Sequence, residues 1–296
     1  MEADKLAVSS ELFSEYLELY KKSGIKVVSL IGGEPTLHPL FPEFIESILK
    51  DSYFEGIIVY TNGSFKSKVI REVLSKATLK LSITLLINYN DPIIVGIIAV
   101  KIIEKNIAFA KAHDIRVCLG FNIYSGEQPY EYIIQVSAKF EVPVRWTICT
   151  PENKQFQTQA QIKSHFRGFI GIALRFSEAC AKHSIEAVAN SNFIPICLLS
   201  EAELRQFAYW NLATASHCNP RNLLMPDNTA TRCYVFTDYK MPLSKNASEK
   251  EISDYFRKNI DDMHTRKLLF DECVDCIYFL SRGKSCGCLN YKLSGN

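Results

Sequence analysis

Two sets of residues have types and spacings that suit chemistry on a ligand or a metal. The first lies in Lys26–Pro39, where the apolar run Val27-Val28-Ser29-Leu30-Ile31 stops at Gly32-Gly33-Glu34-Pro35. A short apolar run rich in β-branched residues and closed by glycine predicts a buried strand. Paired glycines at its end leave bare backbone that a small ligand can approach closely. Glu34 places one carboxylate at that mouth, and Pro35 stiffens the exit by fixing φ. This arrangement suits a ligand that carries an ammonium group. The plain alternative is an ordinary strand-to-helix turn.

The second set is the cysteines, of which the 296-residue chain has ten. Cys118, Cys149, Cys180 and Cys197 are scattered in apolar surroundings and read as buried structural thiols. Cys218, Cys233, Cys273, Cys276, Cys286 and Cys288 crowd the last part of the chain. Cys273-Val274-Asp275-Cys276 is a Cys-x2-Cys knuckle, whose bend lets two thiolates converge on one metal, and Cys286-Gly287-Cys288 follows. Between Cys218 and Cys233, strand-like runs flank Pro226-Asp227-Asn228. That is a hairpin signal, since Asn tolerates positive φ, and a hairpin there brings its flanking cysteines together. Four thiolates so spaced suit tetrahedral zinc or an iron–sulfur cluster equally well.

The elements that must position these groups alternate. An amphipathic helix is predicted over 10–23, capped by Ser10, with Leu12, Phe13, Tyr16, Leu17 and Tyr20 on one face. A strand over 26–31 and a helix opened by Pro42 follow. Strand 56–61 then leads to a helix capped by Ser64. Strand 78–87 leads to a long helix opened by Asp91-Pro92 and running to about His113. Strand 115–123 precedes a helix over 128–140, and strand 142–149 precedes a helix over 159–183. Strands alternating with helices argue for parallel βα units. After residue 190 the rhythm stops. The carboxyl ends of βα strands carry ligand groups, which draws attention to Thr61-Asn62, Asn88 and Asn122. Turn or helix-capping roles are the alternative for each.

Composition sets the class. With 47% hydrophobic and 22% charged residues the chain is globular and large enough for a sizeable core. Its net charge of +2 argues for neither nucleic acid nor an anionic membrane. No basic segment followed by an apolar core opens the chain, which predicts a cytoplasmic protein. The most apolar segment, 93–103, falls short of the roughly 20 residues that span a bilayer and reads as a buried helix. Cysteine abundance in that compartment favours metal or redox chemistry over disulfides.

The string Gly32-Gly33-Glu34-Pro35-Thr36-Leu37-His38-Pro39 resembles the GGEP loop after the second strand of radical S-adenosylmethionine (radical SAM) enzymes. In that family the loop holds the amino group of the methionine moiety. The resemblance implies an α/β fold: a partial (βα)6-type barrel over residues 1–190, missing its first strand, with a small cysteine-rich α+β module over 191–296. It adds Asn62, Asn88 and Asn122 to Gly32, Gly33, Glu34 and Pro35 as contacts for S-adenosylmethionine. The order Cys218-x14-Cys233 … Cys273-x2-Cys276 resembles the auxiliary-cluster modules called SPASM and twitch. It implies one auxiliary 4Fe-4S cluster on those four cysteines, with Cys286 and Cys288 as lesser candidates for a second or partial site.

The implied activity is generation of a 5′-deoxyadenosyl radical that modifies a peptide or protein substrate, or a small molecule. A ferredoxin or flavodoxin would be the electron donor. One departure is large. The family's catalytic cluster sits on a Cys-x3-Cys-x2-Cys loop before the first helix, whereas the first cysteine here is Cys118. No catalytic residue is therefore assigned. The expectation is a radical SAM enzyme whose sequence lacks its cluster loop, through a mis-assigned start, a split gene or degeneration. The alternatives are a non-catalytic relative that binds a peptide or nucleotide-like ligand, and a zinc-stapled binding protein.

Overall fold

The computed structural model describes residues 7–149, 158–189, 194–209, 221–233 and 239–277. The chain divides into two compact units, residues 1–120 with 222–255 and residues 121–221 with 256–296. A six-stranded sheet runs in the order β1-β2-β3-β4-β5-β6. Its strands are β1 (Val27–Leu30), β2 (Gly56–Thr61), β3 (Ser82–Asn88), β4 (Arg116–Ile123), β5 (Val144–Ile148) and β6 (Ala187–Ala189). Neighbours pair in parallel, with Leu30 beside Val59, Val59 beside Leu85 and Asn88 beside Gly120. Sequential parallel order needs a crossover helix after each strand. These are α2 (Phe41–Lys50), α3 (Lys68–Ala77), α4 (Pro92–Val95) with α5 (Ile97–Ala112), α6 (Glu131–Phe140) and α7 (Gln159–Lys182). The leading helix is α1 (Ser10–Lys22).

In the first unit, Ile57, Val59, Ile83, Leu85 and Ile87 from the sheet are buried, as are Ile45, Ile48, Leu74 and Ile107 from the helices. In the second, Phe121, Ile123, Val144, Trp146 and Ile148 form a core with Phe166, Phe176 and Phe207. Trp146 stacks on Phe207, which makes it a core aromatic. A separate antiparallel sheet joins β7 (Leu223–Met225), β8 (Thr229–Thr231) and β9 (Lys240–Pro242). The expected hairpin is β7–β8, and Asn228 sits at its turn with φ +56°. The further α-helices among the described residues are α8 (Glu201–Tyr209), α9 (Glu249–Phe256) and α10 (Met263–Arg266).

Several expectations need correction. Helix α1 is capped by Ser9, whose hydroxyl accepts from the Leu12 amide, and not by Ser10. Helix α3 is capped by Ser67, since the Ser64 hydroxyl is engaged with Asn62. Strand β1, which ends the sheet order, is less buried than its composition suggests: Val27 is 41% exposed, and Ile31 just past the strand is 52% exposed. The long apolar helix is interrupted. Asp91 caps α4, then Gly96 at φ +82° breaks the helix and α5 starts afresh. Ile93, Ile94, Ile97 and Ile98 consequently lie exposed, and burial begins at Val100. Cys197 is exposed on a short 3-10 turn rather than buried. Strand β6 had no periodicity to reveal it, being three residues long.

Four helices end the same way. After α1, α5, α6 and α7 comes one left-handed residue: Gly24, Asp114, Glu141 and Ser184. The next amide then returns to a carbonyl five residues back, from Ile25 to Tyr20, Ile115 to Ala110, Val142 to Ser137 and Ile185 to Cys180. This is the Schellman reversal, with its usual apolar residue after the left-handed position. Only one of the four uses glycine, although a side chain resists positive φ. Glu141→Gly is accordingly expected to stabilise the fold by about 0.5–1 kcal/mol in urea denaturation. A lower midpoint would refute this account of the α6 terminus.

Candidate functional site

The chain leaves β1 through Ile31-Gly32-Gly33 and turns at Glu34, which caps the 3-10 turn Pro35–Leu37. Parallel strands end on one side, so the exits of β1 and β2 lie next to each other, with ladder groups left unpaired. Glu34 gathers those groups. Its Oε1 accepts from the Thr36 amide at 3.2 Å, the Thr36 hydroxyl at 2.6 Å and the Thr61 hydroxyl at 2.7 Å. Its Oε2 accepts from the Asn62 amide at 2.6 Å. The carboxylate therefore staples the β1 exit to the end of β2.

What remains open is the backbone of Gly32 and Gly33. Both are exposed, and a Cβ added to either would meet no atom of the described residues within 4 Å. Neither glycine sits at positive φ. Neither close packing nor left-handed backbone accounts for glycine at these two positions.

Thr61 is buried, and its hydroxyl also accepts from the Gly63 amide at 3.0 Å. The Asn62 side chain accepts from the Ser64 amide and hydroxyl at 2.8 and 2.7 Å, a local Asx turn. Gly63 does need to be glycine. It has φ +73°, and a Cβ there would lie 2.8 Å from Ile87 Cγ2. Asn88 ends β3 in the same unit. Asn122 lies in β4 in the other unit, where its carbonyl accepts from Gln128 Nε2 at 2.9 Å.

Three residues that shape these loops carry no motif. Asn106, on the buried face of α5, donates from Nδ2 to the carbonyls of Gly63 and Phe65, both at 2.7 Å. Arg71 holds its Oδ1 from Nε and Nη2 at 3.1 and 3.0 Å. Gln128, 5% exposed, ties the loop after β4 by also accepting from the Tyr124 amide at 2.8 Å. The available signal for Asn106 is a polar residue at helical spacing among Val100, Ile103 and Ala110. No such pattern marks Arg71 or Gln128.

His38 sits just past the Glu34 turn, and its Nδ1 accepts from the Leu40 amide at 3.1 Å. That is a loop-capping role. Burial lowers its pKa from the ordinary imidazole value.

Of the candidate metal ligands, Cys218, Cys286 and Cys288 lie outside the described residues. Cys233 belongs to the first unit, and Cys273 and Cys276 to the second. Cys273 is buried, and the Cys276 amide donates to its carbonyl at 3.2 Å, closing the knuckle into one turn. Gln159, in the first turn of α7, grips that turn reciprocally: its amide nitrogen donates to Asp271 Oδ1 at 2.8 Å and its oxygen accepts from the Asp271 amide at 3.0 Å. Lys163 adds an ion pair to Glu272 at 2.6 Å. Among the described residues, no three His, Cys, Asp or Glu side chains gather into a metal site. Burial raises the thiol pKa of Cys149, and that of Cys180 to about 12, so both stay protonated near neutrality. No helix among the described residues is long and apolar enough to cross a membrane.

No known family and no curated protein matches the sequence. The fold does have solved counterparts. Native anSMEcpe with bound AdoMet is similar at a TM-score of 0.67 and 13% identity, over 98% of this chain and 82% of that one. SuiB of Streptococcus suis bound to S-adenosylmethionine is similar at a TM-score of 0.58 and 12% identity, over 90% of this chain and 63% of that one. This chain thus spans less than two thirds of SuiB. At these identities what is shared is the fold.

Two outcomes follow from the geometry. Glu34→Gln puts an amide NH2 where the protein presents donors, and it should cost about 2 kcal/mol in urea denaturation; an unchanged midpoint would remove the staple. His38 should make stability pH-dependent. Its folded-state pKa is lowered, so its contribution is complete above the unfolded value of about 6.5 and is lost as pH falls through the lower folded value. As pH falls from about 6.5 through the lower folded value, the melting temperature of the wild type should therefore drop more steeply than that of His38→Asn, which keeps an acceptor and does not titrate. Parallel curves would show that His38 contributes nothing.

Proposed function

We propose that this chain is a radical SAM protein whose first strand exit, Gly32–Pro35, receives the amino acid end of S-adenosylmethionine. The observation that carries this reading is the open, glycine-lined backbone at Gly32 and Gly33, held in place by Glu34. The likeness in fold to two proteins with that molecule bound supports it. The ammonium of the ligand would meet backbone carbonyls, since the Glu34 carboxylate is already taken up by protein donors. Pro35 fixes the exit, and Asn62, Asn88 and Asn122 are the further contacts proposed. When bound beside a reduced cluster, S-adenosylmethionine supplies one-electron chemistry for hydrogen abstraction from an unactivated carbon.

The proposed substrate is a peptide or protein, with a small molecule second and a ferredoxin- or flavodoxin-like electron donor. The cysteine-rich module proposed over 191–296 supports this, with Cys218, Cys233, Cys273 and Cys276 as ligands of one auxiliary 4Fe-4S cluster. The Cys273–Cys276 turn suits two ligands of one centre. The catalytic cluster is a different matter. The residues present include no Cys-x3-Cys-x2-Cys run, so they do not fit that group and no radical step is assigned to them. That same observation favours a second reading, a relative that binds S-adenosylmethionine or a peptide without turning it over.

Calorimetric titration with S-adenosylmethionine tests the site. Gly33→Val should weaken binding at least about tenfold while leaving the melting temperature unchanged or slightly raised. No heat from the wild type at ~1 mM ligand, or equal affinity in the variant, would overturn the assignment. For the module, anaerobic reconstitution with iron and sulfide should give a brown protein that Cys273→Ser and Cys276→Ser abolish. Stoichiometric zinc without that chromophore would sink the cluster.

A further inference from the structure

Asn106 is the one polar side chain on the buried face of α5, and it is fully buried. An amide has two N–H donors and an oxygen with two lone pairs, and here all four are engaged. Both donors reach backbone carbonyls of the β2–α3 loop, at Gly63 and Phe65, and both lone pairs take N–H groups of Arg71. The Arg71 fork decides which end of the amide is oxygen, and so forces the NH2 toward the loop. A residue serving only to fill the core would be apolar here, because burying a polar group has a desolvation cost. Asn106 instead satisfies loop carbonyls that no strand or helix ladder pairs.

The loop it grips is the one that touches Glu34. Thr61 donates its hydroxyl to Oε1, Asn62 donates its amide to Oε2, and Gly63 follows immediately. The bonds run without a gap from Arg71 through Asn106 to the Gly63 carbonyl, and from the Asn62 amide to Glu34 and its two preceding glycines. We infer that Asn106, oriented by Arg71, is a positioning residue for the ligand mouth at Gly32–Glu34. It sets the height of the Asn62 amide, and through it the Glu34 carboxylate and the glycine backbone. The inference rests on the reading of that mouth as a site for S-adenosylmethionine.

The test uses the full chain and reads the loop directly by amide hydrogen exchange, alongside ligand affinity. Asn106→Ala is the obvious variant and risks unfolding, so Arg71→Met, which leaves the amide in place but unoriented, is measured beside it. Arg71→Met should speed exchange at Asn62 and Gly63 about tenfold and weaken S-adenosylmethionine binding by about the same factor. Arg71→Lys, with a single donor group, should recover part of both. Ile48→Val, a core change on α2 outside this network, should lower thermal stability and move neither reading. Exchange at 62–65 that stays at the wild-type rate in Arg71→Met, or that Ile48→Val matches, would overturn the inference. If the wild type does not bind S-adenosylmethionine, the site reading fails, while the exchange comparison still decides whether Asn106 and Arg71 position the loop.

Discussion

The constraint on which the rest of this site depends is the unpaired backbone at the ends of β1 and β2. Parallel strands finish side by side, and their last amides have no ladder partner. One carboxylate resolves most of this. Glu34 takes two backbone amides and two threonine hydroxyls, one of each from its own turn and from the neighbouring strand end. A carboxylate is an acceptor only, and hydrogen bonds to a charged acceptor are stronger than neutral ones. The expectation of a carboxylate facing a ligand thus gives way to one facing inward. The surface left open beside it is the bare peptide backbone of Gly32 and Gly33.

Side-chain amides take over where the carboxylate stops. Asn106 supports the loop after β2, and Gln128 does the same for the loop after β4, with its oxygen on one amide and its nitrogen on one carbonyl. The two belong to different units of the chain, and each is a buried polar group that is paired through both of its atoms. Such groups stabilise one loop geometry over its alternatives, because any other leaves a buried donor or acceptor unpaired. Gln159 is likewise paired with Asp271 through both atoms of its amide, there in exposed hydrogen bonds beside the Cys273 turn.

Much of this was legible in the amino acids, and the rest was hidden for identifiable reasons. The span 56–61, read as a strand from its β-branched run, is β2 to the residue. The hairpin turn at Asn228 follows from one residue's tolerance of positive φ. The caps were misplaced by one and three residues because serines stand at Ser9, Ser10, Ser64 and Ser67, and only tertiary context chooses among them. The apolar run after Asp91-Pro92 predicts one long helix, yet Gly96 at positive φ ends one helix and starts another. The glycine pair and Glu34 announce themselves by spacing. Asn106 and Arg71 stand 35 residues apart in sequence and meet only once the β2–α3–β3–α5 crossover is formed.

The two glycines also leave a mark on the energetics of the molecule. Glycine loses more chain freedom on folding than alanine, by about 0.5–1 kcal/mol in regular structure. With no crowding and no left-handed backbone to require them, Gly32 and Gly33 are avoidable instability from the standpoint of folding alone. A campaign that selected variants of this protein for heat resistance would therefore replace them early. It would arrive at a sturdier protein whose open backbone after β1 is filled in.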